Sequence, residues 1–232
     1  MIGIIGAMEV EIRNILAQMK DVETTTIANV DYHQGKLGQR PVLVALCRVG
    51  KVNAAHAASV MVANFDVGGI INVGVAGGIG ADVEIGDVVI STDLLHHDVD
   101  VGAFGYERGQ VPGHPFAHFA ADPALIEGAK AAASHILPAH SRNLHLGRIA
   151  TGDQFISSPI SKADIAQSFD ALAVEMEGAA IAQVCTLTNT PFVVIRAISD
   201  KADGTAHEDF PAFVEQTAHI SAEIVTKMIE NA

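Results

Sequence analysis

Hydrophobic and polar positions fall in blocks along the chain, short apolar runs giving way to helical periodicity and back again. The chain opens on Ile2-Gly-Ile-Ile-Gly6, which predicts a short strand. Met8, Ile12, Ile15, Leu16 and Met19 then recur at the spacing of a helix laid on a sheet. Val42–Leu46 and Gly69–Val73 are unbroken apolar runs, the pattern of strands buried on both faces. Between them, Lys51–Phe65 is Ala-rich, lacks Pro and Gly, and predicts a helix. Asp87–Ser91 predicts another strand. From His96 to His118, four Gly and two Pro interrupt every period. A loop excursion of that length usually carries function or an interface.

The second half repeats the rhythm. It predicts a helix over about Pro123–Ile136, a strand over about Leu144–Ala150, a loop at Thr151–Ser158 and a helix near Ser161–Phe169. Leu172–Val174 is a short strand, and Met176–Leu187 an Ala-rich helix. Phe192–Ile198 is the strongest strand signal; a polar loop, Ser199–Glu208, precedes a closing helix over about Phe210–Ile229. Strands alternating with helices place the chain in the α/β class. The expected architecture is a single domain over residues 1–232, with three αβα layers around a mixed, largely parallel twisted sheet.

Composition narrows the function classes. With 49 % hydrophobic and 18 % charged residues the chain is not disordered. Its net charge of −13 argues against non-specific nucleic-acid binding and against anionic membrane surfaces, both of which need a cationic face. Cys47 and Cys185 lie in apolar runs and are expected to be buried free thiols. Ile2–Met8 is too short and too quickly followed by Glu9 and Glu11 for a signal-peptide core, and Gly68–Ala81 is too short to span a bilayer. The expected compartment is the cytoplasm.

Ligands of open α/β sheets bind outside the carboxyl ends of the strands. Glu11, Glu175, Glu177 and Asp200 all fall there. Carboxylates gathered in a partly dry cleft push one another's pKa values apart, which suits acid/base chemistry on a polar, uncharged substrate. Glu9 reads only as a partner of the helix dipole. Gly74–Gly80 follows a strand but lacks both the P-loop ending and the dinucleotide spacing, so its glycines point to a tight turn or a close ligand approach. His96-His-Asp-Val-Asp100 and His114/His118 sit where no strand fixes their geometry, and no metal is expected.

Five segments together resemble a known family. They are Ile4–Glu11 (IIGAMEVE), Asn72–Gly78 (NVGVAGG), Ala103–Glu107 (AFGYE), Ala173–Glu177 (AVEME) and Arg196–Asp200 (RAISD). In that order they resemble the bacterial 5′-methylthioadenosine/S-adenosylhomocysteine nucleosidases of the purine nucleoside phosphorylase-like superfamily. The resemblance implies a cofactor-free hydrolase of methionine salvage and methyl-cycle recycling that releases adenine from these nucleosides and from 5′-deoxyadenosine. It implies Asp200 as the acid that protonates adenine N7, Ser199 as its positioning neighbour and Glu11 as the group that activates water. Glu177 would take the ribose hydroxyls, with Met176 against the sugar; Phe155 and Ile156 would bind adenine. Met8, Val49 and Phe210 would line the sugar and 5′-substituent, and Gly77 and Glu175 complete the substrate-binding set. Val101, Phe104 and Pro112 match a loop that a homodimer partner contributes to the 5′-alkylthio pocket, which gives the 96–118 excursion a purpose.

Where many relatives carry Ser, this chain has Val75, so one hydrogen bond near the sugar is missing. A phosphate-dependent phosphorylase is the first rival. In phosphorylases an Arg stands where this chain has Asn72, and Glu11 occupies ground a phosphate dianion would need; Arg48 and Arg196 remain as alternative sources of charge. A second rival hydrolyses futalosine or aminodeoxyfutalosine, and a third is a non-catalytic nucleoside binder.

Overall fold

The structure, a computed structural model, describes residues 1–231. Its first half runs β1 (Ile2–Gly6), α1 (Glu9–Gln18), β2 (Lys20–Ile27), β3 (Val30–Leu37), β4 (Arg40–Leu46), α2 (Lys51–Asn64), β5 (Gly69–Gly78) and β6 (Val88–His96). The second half runs β7 (Phe119–Ala120), α3 (Pro123–His140), β8 (Leu144–Thr151), α4 (Pro159–Phe169), β9 (Ala171–Glu175), α5 (Gly178–Thr188), β10 (Phe192–Asp200) and α6 (Ala206–Asn231).

The sheet is mixed and lies between helices, and both faces of its central strands are buried. Ile5, Leu43, Ile70 and Val194 face α2 and α5; their neighbours Ile4, Val44, Ile71 and Val193 face α1, α3 and α6. This alternation inside an all-apolar run is why period-two patterning is invisible in these segments. The sheet also curls back on itself. β5 pairs with β1, β9 and β10; β10 also pairs with β6, which continues through β8 to β9, closing a ring of five strands. Beyond β1 and β4 an antiparallel hairpin, β2–β3, forms an edge. Its two-residue turn, Ala28-Asn29, has φ of 49° and 65°, as the right-handed strand twist favours.

Three features depart from the expected elements. The sequence pattern predicts no element over 20–37, where the β2–β3 hairpin lies; β2 is exposed along nearly its whole length and so carries no apolar signal. The glycine-rich segment does not turn: β5 runs extended through Gly78, and all ten of its residues are buried. The last helix starts at Ala206 rather than near Phe210, with Pro211 inside it; there the missing proline N–H forgoes only a bond to the His207 carbonyl. The 96–118 excursion is mostly irregular, with one 3₁₀ turn at Gly102–Phe104.

Candidate active site

At the carboxyl ends of β1, β5, β9 and β10 lies a cleft of about 400 Å³. Glu11, Glu177, Ser199 and Asp200 are its polar walls, and Met8, Val49, Met176, Phe155 and Phe210 its apolar ones. The rings of Phe155 and Phe210 meet edge to face, 5.8 Å between centroids. Ile156 closes a small annex shared with Phe155, Gly77 and Asp200. His207, from the first turn of α6, also lines the cleft; sequence reasoning missed it because it assigned that turn to a loop.

Glu11 is fixed from three sides. Its carboxylate accepts the backbone N–H groups of Ala7 (2.7 Å), Met8 (2.9 Å) and Val75 (3.1 Å). The last bond crosses to β5, and the N–H of Val75 supplies it whatever side chain stands there. Burial pushes the Glu11 carboxyl above its ordinary pKa, against the pull of Arg196 and of these three donors. Gly74 makes this approach possible: a Cβ there would collide with the Glu11 carboxylate and lie 3.0 Å from Arg196 Nη1. At Gly77 a Cβ would press on Ala202 and on Asp200 Oδ1, 3.0 Å away.

Asp200 ends β10. Its Oδ1 accepts the Ala202 N–H at 2.8 Å and its Oδ2 the Ser199 hydroxyl at 2.9 Å. Burial raises its pKa above the usual aspartate value despite those two bonds. Beside it, among the described residues, the backbone N–H and C=O of Ile156 make no bond within the chain although the residue is buried. Buried backbone groups seldom stay unpaired, and here Ile156 leaves one donor and one acceptor uncommitted.

Glu175 and Glu177 differ sharply. Glu175 is saturated by the Thr151 hydroxyl, the N–H groups of Glu177 (3.0 Å) and Gly178 (2.7 Å), and Arg196 Nη2 (2.6 Å). It caps α5 and anchors Arg196, so although it borders the cleft its carboxylate has little left for a substrate. Glu177 accepts only the Gly50 N–H, at 2.8 Å. Burial and the adjacent Glu175 charge push its pKa up to about 8.

Arg196, wholly buried, ties the acids together. Besides Glu175 it donates to Asn72 Oδ1 at 2.6 Å, while the Asn72 amide donates to the Ile5 carbonyl at 2.9 Å. Burial opposes its charge, but Glu175, Glu11 and Glu177 outweigh it and hold the guanidinium above its usual pKa. Sequence reasoning saw Arg196 only as possible phosphate-binding charge; its partners come from strands β5 and β9, and no local pattern announces them.

Val101, Phe104 and Pro112 do not line the cleft of their own chain, and Phe104 is 82 % exposed. His96 turns onto Gln183 (3.0 Å) and the edge of Phe119. Both cysteines are buried free thiols, and among the described residues no helix is long and apolar enough to cross a membrane.

Residues 1–230 match the family described as the Phosphorylase superfamily. A 5′-methylthioadenosine/S-adenosylhomocysteine nucleosidase of Anoxybacillus flavithermus is 44 % identical over 231 residues, 98 % of this chain and 97 % of its own. The crystal structure of the nucleosidase of that name from Neisseria meningitidis, in complex with methylthio-immucillin-A, superposes with a TM-score of 0.95 at 42 % identity, covering 100 % of this chain and 99 % of its own. A futalosine hydrolase of Helicobacter pylori superposes with a TM-score of 0.91 at 34 % identity, covering 100 % and 97 %.

Proposed function

The chain belongs to the phosphorylase superfamily, and from that premise we propose that its cleft hydrolyses the N-glycosidic bond of 5′-methylthioadenosine and S-adenosylhomocysteine. Adenine and the 5-substituted ribose are released. The observation that carries this reading is the pairing, in one cleft, of two buried carboxyls of raised pKa, Asp200 from the end of β10 and Glu11 from the first turn of α1.

Each group has a task. Adenine lies between Phe155 and the Ile156 backbone, whose free N–H and C=O match its donor–acceptor edge. Asp200, which burial keeps protonated to a higher pH than a free aspartate, gives its proton to N7 as the C–N bond lengthens, so that a neutral base departs. The ribose becomes cationic in that step, and the carboxylates around it stabilise the charge. Glu11 orients water against the anomeric carbon and takes its proton. Glu177, whose carboxyl burial and the neighbouring Glu175 charge hold protonated to a higher pH than a free glutamate, meets the ribose diol, with Met176 against the sugar. Met8, Val49 and Phe210 receive the 5′-substituent, and 5′-deoxyadenosine fits the same walls.

Hydrolysis prevails over phosphorolysis because, among the described residues, no Lys or Arg lines the cleft to meet a phosphate dianion: Arg196 is committed to Asn72 and Glu175, and Arg48 lies outside the cleft. Chromatography of each nucleoside with and without phosphate tests this. Adenine is expected at equal rates in both, and strict phosphate dependence assigns the chain to the phosphorylases. Futalosine hydrolysis is not favoured, since the Anoxybacillus nucleosidase stands closer in sequence than the Helicobacter futalosine hydrolase.

Segment 96–118 serves as a dimer element, Val101, Phe104 and Pro112 of one protomer completing the 5′-alkylthio pocket of the other. The exposure of Phe104 and of Phe116 (66 %) supports this. Phe104→Ala and Asp200→Asn, each impaired alone, should regain activity when co-expressed, because the mixed dimer holds one site with both residues intact. A monomer in sedimentation, or no regain, overturns the shared site. We place the enzyme in the cytoplasm, where two unpaired thiols stay reduced.

A further inference from the structure

Beside the nucleoside cleft runs a second groove of about 400 Å³, between α1 and the β2–β3 hairpin. The two hollows share a rim. Met8 and Val49 line the cleft, while their chain neighbours Glu9 and Arg48 line the groove. Most polar groups of the groove are already engaged: Arg13 with Glu215, His33 with the Thr24 hydroxyl at 2.8 Å, and Asp31 with the Thr26 hydroxyl at 2.6 Å. Among the described residues, the side chains of Glu9 and Arg48 have no ion-pair or hydrogen-bond partner.

Arg48 is also held in an unfavourable conformation. Its φ is +72°, in the left-handed region that suits glycine and strains other residues. A side chain kept at such cost beside an active-site rim points to a use for that side chain.

We propose that Arg48 and Glu9 form a specificity site for the amino-acid tail of S-adenosylhomocysteine. This rests on the nucleosidase reading above and adds to it. The tail leaves the 5′ sulfur where Met8 and Val49 end and carries one carboxylate and one ammonium. Arg48 takes the carboxylate, for which a guanidinium is suited, and Glu9 takes the ammonium. Methylthioadenosine, which stops at a methyl group, reaches neither residue. Glu9, which sequence reasoning assigned to the helix dipole, thereby acquires a ligand.

The test compares both substrates in Arg48→Gly, Arg48→Glu and wild-type enzyme. Glycine accepts φ of +72°, so the Tm of Arg48→Gly should equal or exceed that of wild type, which separates loss of the side chain from loss of the fold. KM for S-adenosylhomocysteine should rise about fivefold in Arg48→Gly, the worth of one exposed charge pair, and further in Arg48→Glu. For methylthioadenosine, kcat/KM should stay within about twofold. Added salt should raise KM for the first substrate only, a response that a purely steric role would not give. An equal change for both substrates, or none for S-adenosylhomocysteine, overturns the proposal. Wild-type protein that frees adenine from neither overturns the nucleosidase reading itself, a result visible before any variant is made.

Discussion

Replacing Asp200 by Asn should lower kcat on methylthioadenosine by about 10²–10⁴, the usual worth of a positioned general acid, while binding of an adenosine analogue changes little. The amide oxygen can still accept the Ala202 N–H that now bonds Oδ1 at 2.8 Å, so the side chain keeps its place and loses only its proton. The pH profile carries the same signature. Because burial raises the Asp200 pKa, the acid stays protonated to a higher pH than a free aspartate, and kcat should fall as pH climbs through that raised value. In the Asn variant the residual rate should lack that alkaline fall. Steady-state kinetics from pH 5 to 9 on both proteins decides it, and an unchanged rate removes Asp200 from the role.

The second large effect concerns stability. Arg196→Met leaves Glu11, Glu175 and Glu177 buried without their cation, and removing one partner of a buried pair typically costs about 3–5 kcal/mol. For a chain of this size that corresponds to a fall in Tm on the order of 10 °C. The loss should be smaller at pH 5 than at pH 8. Without Arg196 the acids hold their protons more tightly in the fold than in the unfolded chain, so their contribution is present at low pH and drains away as pH rises. Arg196→Lys keeps the charge but shortens the reach to Asn72 and Glu175, both of which are held by Nη2, and should fall in between. Calorimetry at the two pH values tests this; a Met variant as stable as wild type at pH 8 would show that the acids do not need the arginine.

What was legible in the chain follows from where its information is local. The acids at strand ends need only an apolar run, a break and a carboxylate, so Glu11, Glu177 and Asp200 can be read from the chain as neighbours in one cleft, whereas Phe155 and Phe210 enter only through the family resemblance. Glu175 fits the same pattern, yet its carboxylate is consumed by the adjacent start of α5 and by Thr151 and Arg196, two residues distant in sequence. β2 escapes because an edge strand that meets water on both faces has no hydrophobic period to read, while the alternation of β3 rests on Val30, Tyr32, Gly35 and Leu37, and Gly35 blunts it. The extended course of β5 was hidden by its glycines, which suggest a turn but are there to admit Glu11, Asp200 and Arg196 at close range. The strain at Arg48 is a dihedral angle, and residue type alone does not encode it.

The position of β5 in the ring has a consequence for which parts of this site can change independently. The carboxyls proposed as catalytic, Glu11 and Asp200, are tied to one strand, bonded to neighbours on both sides, whereas Phe155, Val49, Arg48 and the 96–118 segment hang from loops. Reactivity and selectivity are thus carried by parts that can mutate separately. The rim can drift toward a longer, shorter or more polar 5′ group while the bond-breaking machinery is inherited intact. That separation suits the recurrence of this scaffold, at 34 % identity, in a hydrolase named for futalosine.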